Sequence, residues 1–126
     1  MSGLPELKVL GIGAFADGLP DWAAMAAFAR GEAGLVEGAP KKPAPSMLPA
    51  NERRRAPDSV LLALRVAEAA CEQAGADPAA LPSVFTSTHG DLAITDYMCA
   101  TLASAPTEVS PTKFHNSVHN AAAGYW

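Results

Sequence analysis

Ser110–Trp126 reads SPTKFHNSVHNAAAGYW, and the interpretation of the whole chain turns on it. The stretch gathers two histidines, two asparagines, a Ser-Pro pair and a run of small residues. A residue before proline is pushed away from the α region, so Ser110-Pro111 is expected to bring the chain in extended or turned. Asn116 to Ala123 then has the pattern of a helix start, with Asn116 or Ser117 able to cap it. Ala121, Ala122, Ala123 and Gly124 carry almost no side chain, which lets another backbone or a partner approach closely. Tyr125 and Trp126 are large apolar groups with a polar handle, suited to a core or an interface. No capping Gly or Asn and no proline closes this helix, so the element is expected to run on and residues 1–126 to form an incomplete domain.

Upstream, Ser83 to Thr88 (SVFTST) is β-branched and aromatic, the pattern of a buried strand that runs out into His89-Gly90-Asp91. A helix is expected from about Ala93 to Ala103, carrying Tyr97, Met98 and Cys99, and Ala105 to Glu108 reads as a loop. The strongest helix signal is Asp58 to Ala74, opened by Pro57-Asp58-Ser59, stopped by Gly75 and followed by Pro78. Val60, Leu64, Ala67 and Cys71 define its core line, while Arg65, Glu68 and Glu72 make one narrow charged stripe. So narrow a polar face implies a helix covered on more than one side, and Cys71 reads as a small core residue rather than a nucleophile.

Val36 to Pro57 has a different texture. Pro40, Pro43, Pro45, Pro49 and Pro57 exclude a regular helix or central strand across this span. Lys41, Lys42, Arg53, Arg54 and Arg55 also fall here, five of the nine Lys and Arg residues. Such a patch suits an acidic partner or a phosphate, and equally a solvated loop with ordinary salt bridges. Before it, Asp21 is placed to cap a helix running to about Arg30 and stopped by Gly31. Trp22, Met25, Ala26 and Ala29 share one face of that helix, expected to be core. At the start, Leu7 to Ile12 (LKVLGI) reads as a buried strand ending in Gly11 and Gly13. The Gly-x-Gly lacks the third glycine of a dinucleotide-binding turn, since Ala16 stands there, and the next stretch breaks at Gly18-Leu19-Pro20. Backbone needing close approach is the preferred explanation.

This alternation of strand and helix, without an internal repeat, predicts an α/β layered fold. A chain of 126 residues has room for one modest domain or part of a larger one. Its net charge of −4 provides no global field for nucleic acid. The first residues lack a basic start and apolar run, which argues against a secretory signal. The longest apolar run, Ala23 to Ala29, is too short for a membrane span, for which roughly 20 residues are needed. Cys71 and Cys99 form no metal or disulfide pattern, and a reducing, cytoplasmic setting fits.

His115 and His119 stand four apart, a spacing that puts two imidazoles on one helical face and, with His89 or Asp91, would sketch a zinc site. The glutamate of the H-E-x-x-H motif is missing, however, and no third ligand stands at a convincing spacing. Ser87, Ser110 and Ser117 lack the surroundings of a nucleophile elbow. Asn116, His119 and Asn120 are better suited to bonding one another and nearby backbone where buried.

Taken in succession, LKVLGIGAFADGLPDW, LPANERRRAPDSVLLALRVAEAA, VFTSTHGD and SPTKFHNSVHNAAAGYW resemble the N-terminal part of a β-ketoacyl synthase-like protein. More narrowly they resemble the chain length factors encoded beside ketosynthases in aryl polyene and related polyketide clusters. The resemblance runs from about Leu7 to Trp126, and the last block is its most specific part. It implies the N-terminal part of a thiolase-like layered αβαβα fold whose subunits dimerise through the sheet. In ketosynthases the matching segment precedes a cysteine at the N-terminus of a buried helix, where the macrodipole favours the thiolate that takes an acyl group from a carrier protein. Two histidines of the C-terminal half assist decarboxylation. None of these positions falls within this chain, so no catalytic role transfers to Cys71, Cys99, His115 or His119.

The narrower resemblance, to chain length factors, implies a subunit that shapes an acyl tunnel beside an active ketosynthase, as its heterodimer partner. It implies no cofactor, the substrates riding on the phosphopantetheine arm of acyl carrier protein. Pro111, Asn120 and Gly124, with Phe114, His115, Asn116 and His119 around them, match the segment that builds tunnel and dimer surface. Arg53, Arg54 and Arg55 are the candidate carrier-protein docking residues, in a subunit of this type or in a pure docking scaffold. An active β-ketoacyl-carrier-protein synthase whose nucleophile lies beyond Trp126, and a small metal-dependent hydrolase using His115 and His119, are the alternatives.

Overall fold

Asp58–Ala74 forms the longest helix among the described residues, with the boundaries that its sequence predicts. The computed structural model describes residue 3 and residues 5–126, so residues 1, 2 and 4 of the expected 1–126 domain lie outside the described residues. In chain order the α-helices are α1 (Trp22–Ala29), α2 (Ala50–Arg55), α3 (Asp58–Ala74), α4 (Leu92–Ser104), α5 (Pro111–His115) and α6 (Ala121–Tyr125). Single 3-10 turns occupy Pro78–Ala80 and Pro106–Glu108, the second inside the stretch expected to be loop.

The helix ends follow local chemistry. Asp21 accepts from Ala24 N–H at 2.8 Å to start α1, and Asp91 accepts from Ile94 N–H at 2.9 Å to start α4. Gly75 closes α3 in the left-handed conformation at φ 62°, its N–H bonded to the Cys71 and Glu72 carbonyls. A six-residue helix, α2, fits between Pro49 and Pro57, where the prolines were expected to exclude a regular helix. Proline forbids a helix only through itself and just before it, and six residues are enough for one and a half turns.

The core lies on one side of α3. Leu64 is fully buried there, with Val60, Leu61, Ala56 and Leu48 beside it. Phe85, Ala121, Ala122, Tyr125 and Trp126 pack onto this cluster, so the final stretch closes over the long helix. The Phe85 and Trp126 rings meet edge to face with centroids 6.0 Å apart. Val60 and Leu64 are buried as their spacing predicts, whereas Ala67 and Cys71 are half-buried. The C-terminal half of α3 is thus less covered than its narrow polar stripe implies. α1 departs further: none of its residues is buried, Trp22 and Ala29 are exposed, and Met25 and Ala26 are half-buried. Its sequence, WAAMAAFA, is apolar all round, so spacing alone could not choose an inward face.

The two expected strands are not formed. Among the described residues the one β pairing is an isolated bridge between Ala16 and Leu19 around Gly18. Residues 7–12 and 83–88 are without regular structure, and Val84 and Leu7 are each 88 % exposed. A strand is stabilised by hydrogen bonds to a neighbour, and no second strand runs beside either segment among the described residues. The α/β layering expected from the alternation is therefore not seen; the described residues are helices joined by irregular segments. The Gly-x-Gly still has the purpose expected of it. Gly11 and Gly13 lie directly against the Ala70 and Val66 carbonyls of α3, with no room for a Cβ, and Ile12 N–H donates to Gln73 Oε1 at 2.6 Å.

Glu68 ties the proline-rich excursion to α3. Its carboxylate accepts from the Ser46 hydroxyl and from the Ser46 and Met47 N–H groups, and lies 3.3 Å from Arg65 Nη1. Partial burial pushes this carboxyl up, but the Ser46 and Met47 hydrogen bonds and the Arg65 charge outweigh it and hold the group below the ordinary carboxylate value. A depressed folded value means stability that is present above the unfolded value of about 4.3 and lost as the pH falls through the folded value. Glu68→Gln is expected to cost about 1–3 kcal/mol at neutral pH and to flatten the acid limb of stability below about pH 4.3. Urea midpoints measured from pH 3 to 7 (a range chosen to bracket roughly the carboxylate values) check both effects, and parallel curves for the two proteins would refute the assignment.

Candidate functional site

Between α3, residues 84–91 and the turn after α5 lies an open groove of about 550 Å³. Its floor is Val66, Ala67 and Ala70 of α3, and its walls are Val84 and Phe85 on one side and Ala121 and Ala122 on the other. Polar groups sit at its rim: Ser59, Ser87, Asp91, Asn116 and His119. An apolar trough of this kind accommodates an aliphatic chain. Neither Cys71 nor Cys99 lines it. Cys71 stands near the C-terminal end of α3 and Cys99 mid-way along α4, so neither has the helix N-terminus that favours a thiolate.

The segment 110–126 does not form the single helix expected from Asn116. Ser110 is extended and its hydroxyl caps α5, with Pro111 in the first helical position. The chain thus becomes helical five residues early and stops at His115. Side chains end it: Asn116 Nδ2 donates to the Thr112 carbonyl at 3.0 Å and Ser117 Oγ to the Phe114 carbonyl at 2.7 Å. Such local bonds compete with helix continuation. A turn follows, and α6 begins only at Ala121.

The break separates the two histidines. His115 meets the Tyr125 ring edge to face at 6.1 Å, whereas His119 lies beside Gly90 and lines the groove. They open into different cavities instead of sharing a helical face, and among the described residues no three His, Cys, Asp or Glu side chains gather as metal ligands. The zinc-hydrolase arrangement therefore has no support in the geometry.

Asn116 is the buried member of the expected polar set, at 3 % exposure, and its Oδ1 has no hydrogen-bond partner among the described residues. His119 and Asn120 are exposed and leave their polar atoms to solvent, so the three do not form the expected buried network. Pro111, Phe114 and Gly124 are also exposed, Phe114 at 63 %. A Cβ at Gly124 would meet nothing within 4 Å, so no described residue of this chain makes the expected close approach there. On α2, Arg53 Nη1 donates to the Pro45 carbonyl at 3.3 Å and Arg54 Nε to the Ala50 carbonyl at 3.3 Å. Arg54 and Arg55 are exposed and Arg53 is half-buried.

The sequence reading assigned no positioning role to Asp91, Ser59, Tyr97 or Lys113. Asp91 caps α4 with one oxygen and accepts from Ser59 Oγ at 2.8 Å with the other, joining α3 to α4 at the groove rim. Tyr97 Oη accepts from Ser110 N–H at 2.9 Å, and Lys113 sits 5.0 Å over its ring. The cap was visible in principle, as an Asp just before a helical run. The Ser59 contact spans 32 residues and leaves no local signal.

The family comparison bears on this geometry directly. A family model described as beta-ketoacyl synthase, N-terminal domain, matches residues 22–126. The chain belongs to the β-ketoacyl synthase N-terminal domain family. The match takes in all six described helices and the groove except Gly13, which lines it from the Gly-x-Gly segment outside the match. Family membership implies the thiolase-like fold and a role in fatty acid or polyketide biosynthesis. No curated protein and no solved structure matches the chain. Among the described residues no helix of this ketosynthase-family chain is long and apolar enough to cross a membrane.

Proposed function

We propose that the chain is a ketosynthase-like subunit of the chain length factor type, which shapes the acyl tunnel beside an active ketosynthase in polyketide assembly of the aryl polyene kind. The observation that carries this reading is the family match across residues 22–126. Cys71 and Cys99 are not candidate nucleophiles in this reading, since neither stands at a helix N-terminus or lines the apolar groove. Under this proposal the groove along α3 belongs to the tunnel wall, and the exposed face of α5 and α6, with Phe114, Asn120 and Gly124, belongs to the surface shared with the ketosynthase. The subunit needs no cofactor of its own, because the growing chain arrives on the phosphopantetheine of an acyl carrier protein, and it works in the cytoplasm.

The test is to co-express the protein with a candidate partner ketosynthase and supply acyl and malonyl carrier protein. The two proteins are expected to co-purify, the product length to depend on this subunit, and intact-mass spectra to show no acyl adduct on it. An acyl adduct on a cysteine of this subunit would overturn the non-catalytic role and favour an active β-ketoacyl-carrier-protein synthase. Failure to co-purify would overturn the partnership.

Carrier docking is assigned to Arg54 and Arg55, with Arg53 anchoring α2 through Pro45. Exposed ion pairs contribute about 0.2–1 kcal/mol each, so the double variant Arg54→Ala/Arg55→Ala is expected to weaken carrier-protein binding by about twofold to thirtyfold. That loss should shrink at high salt. Fluorescence-anisotropy titrations at two ionic strengths measure it, and equal affinity for the variant would remove these residues from the docking surface.

A further inference from the structure

We draw no further inference here: the strongest candidate, the apolar groove along α3 with the unpartnered Asn116 Oδ1 at its edge, belongs to the site already described, and nothing in the structure shows what else covers it.

Discussion

Leu64→Ala is expected to lower the unfolding free energy by about 3–5 kcal/mol, toward the upper end for removing a buried leucine side chain. Leu64 has no exposed surface, and it sits where α3, the excursion through Leu48 and the packing residues of α6 converge. No one neighbour can move in to fill the space, because each is held by its own element. The loss therefore combines the transfer term for the missing methyl groups with the cavity left behind. Against a total stability of order 5–15 kcal/mol, that is a large fraction. Leu62→Ala is the control: this side chain is 37 % exposed on the same helix and should cost markedly less. Equilibrium denaturation of the three proteins decides the matter. Equal losses for the two variants would mean that the cluster around Leu64 is not the core.

Gly13→Ala is expected to cost about 3 kcal/mol, the upper part of the range for overpacking. A Cβ at this position would overlap the Val66 carbonyl oxygen and come within 2.7 Å of the carbonyl carbon. The obstacle is helix backbone, which cannot rotate aside as a side chain would. Either residues 7–15 lift from α3, breaking the Ile12 bond to Gln73, or the helix bends. Gly34→Ala provides the contrast, since a Cβ there would meet nothing within 4 Å and its φ is not positive. Replacing that glycine restricts the unfolded chain and should be neutral or slightly stabilising. A Gly13→Ala protein as stable as the parent would refute the close packing of this segment on α3.

The helices were legible because their signals are local. Pro57 before Asp58 and Gly75 after Ala74 bracket α3 to the residue, and Asp21 announces α1. The β-branched and aromatic run Ser83–Thr88 has the composition of a strand, but such a segment becomes a strand only when a neighbour accepts its hydrogen bonds. That neighbour is a non-local fact, and the described residues do not contain it. The family blocks carried the ketosynthase relationship from Trp22 onward. The site was legible in composition more than in geometry. Asn116, His115 and His119 were singled out, yet their arrangement hinged on Asn116 and Ser117 ending α5 instead of starting a helix. Both residue types are good at starting helices and at ending them, and only Pro111 upstream decided between the two.

The irregular segments are fastened to the helices by individual side chains: residues 5–15 by Gln73, the proline-rich excursion by Glu68, and the approach to α5 by Tyr97. A β ladder would spread such an attachment over many peptide groups that no substitution can delete. Here each of these hydrogen bonds is written in a single codon. One nucleotide change can remove such a bond and loosen one surface segment, which then rests on its remaining packing against the helices, while the scaffold beneath it stays put.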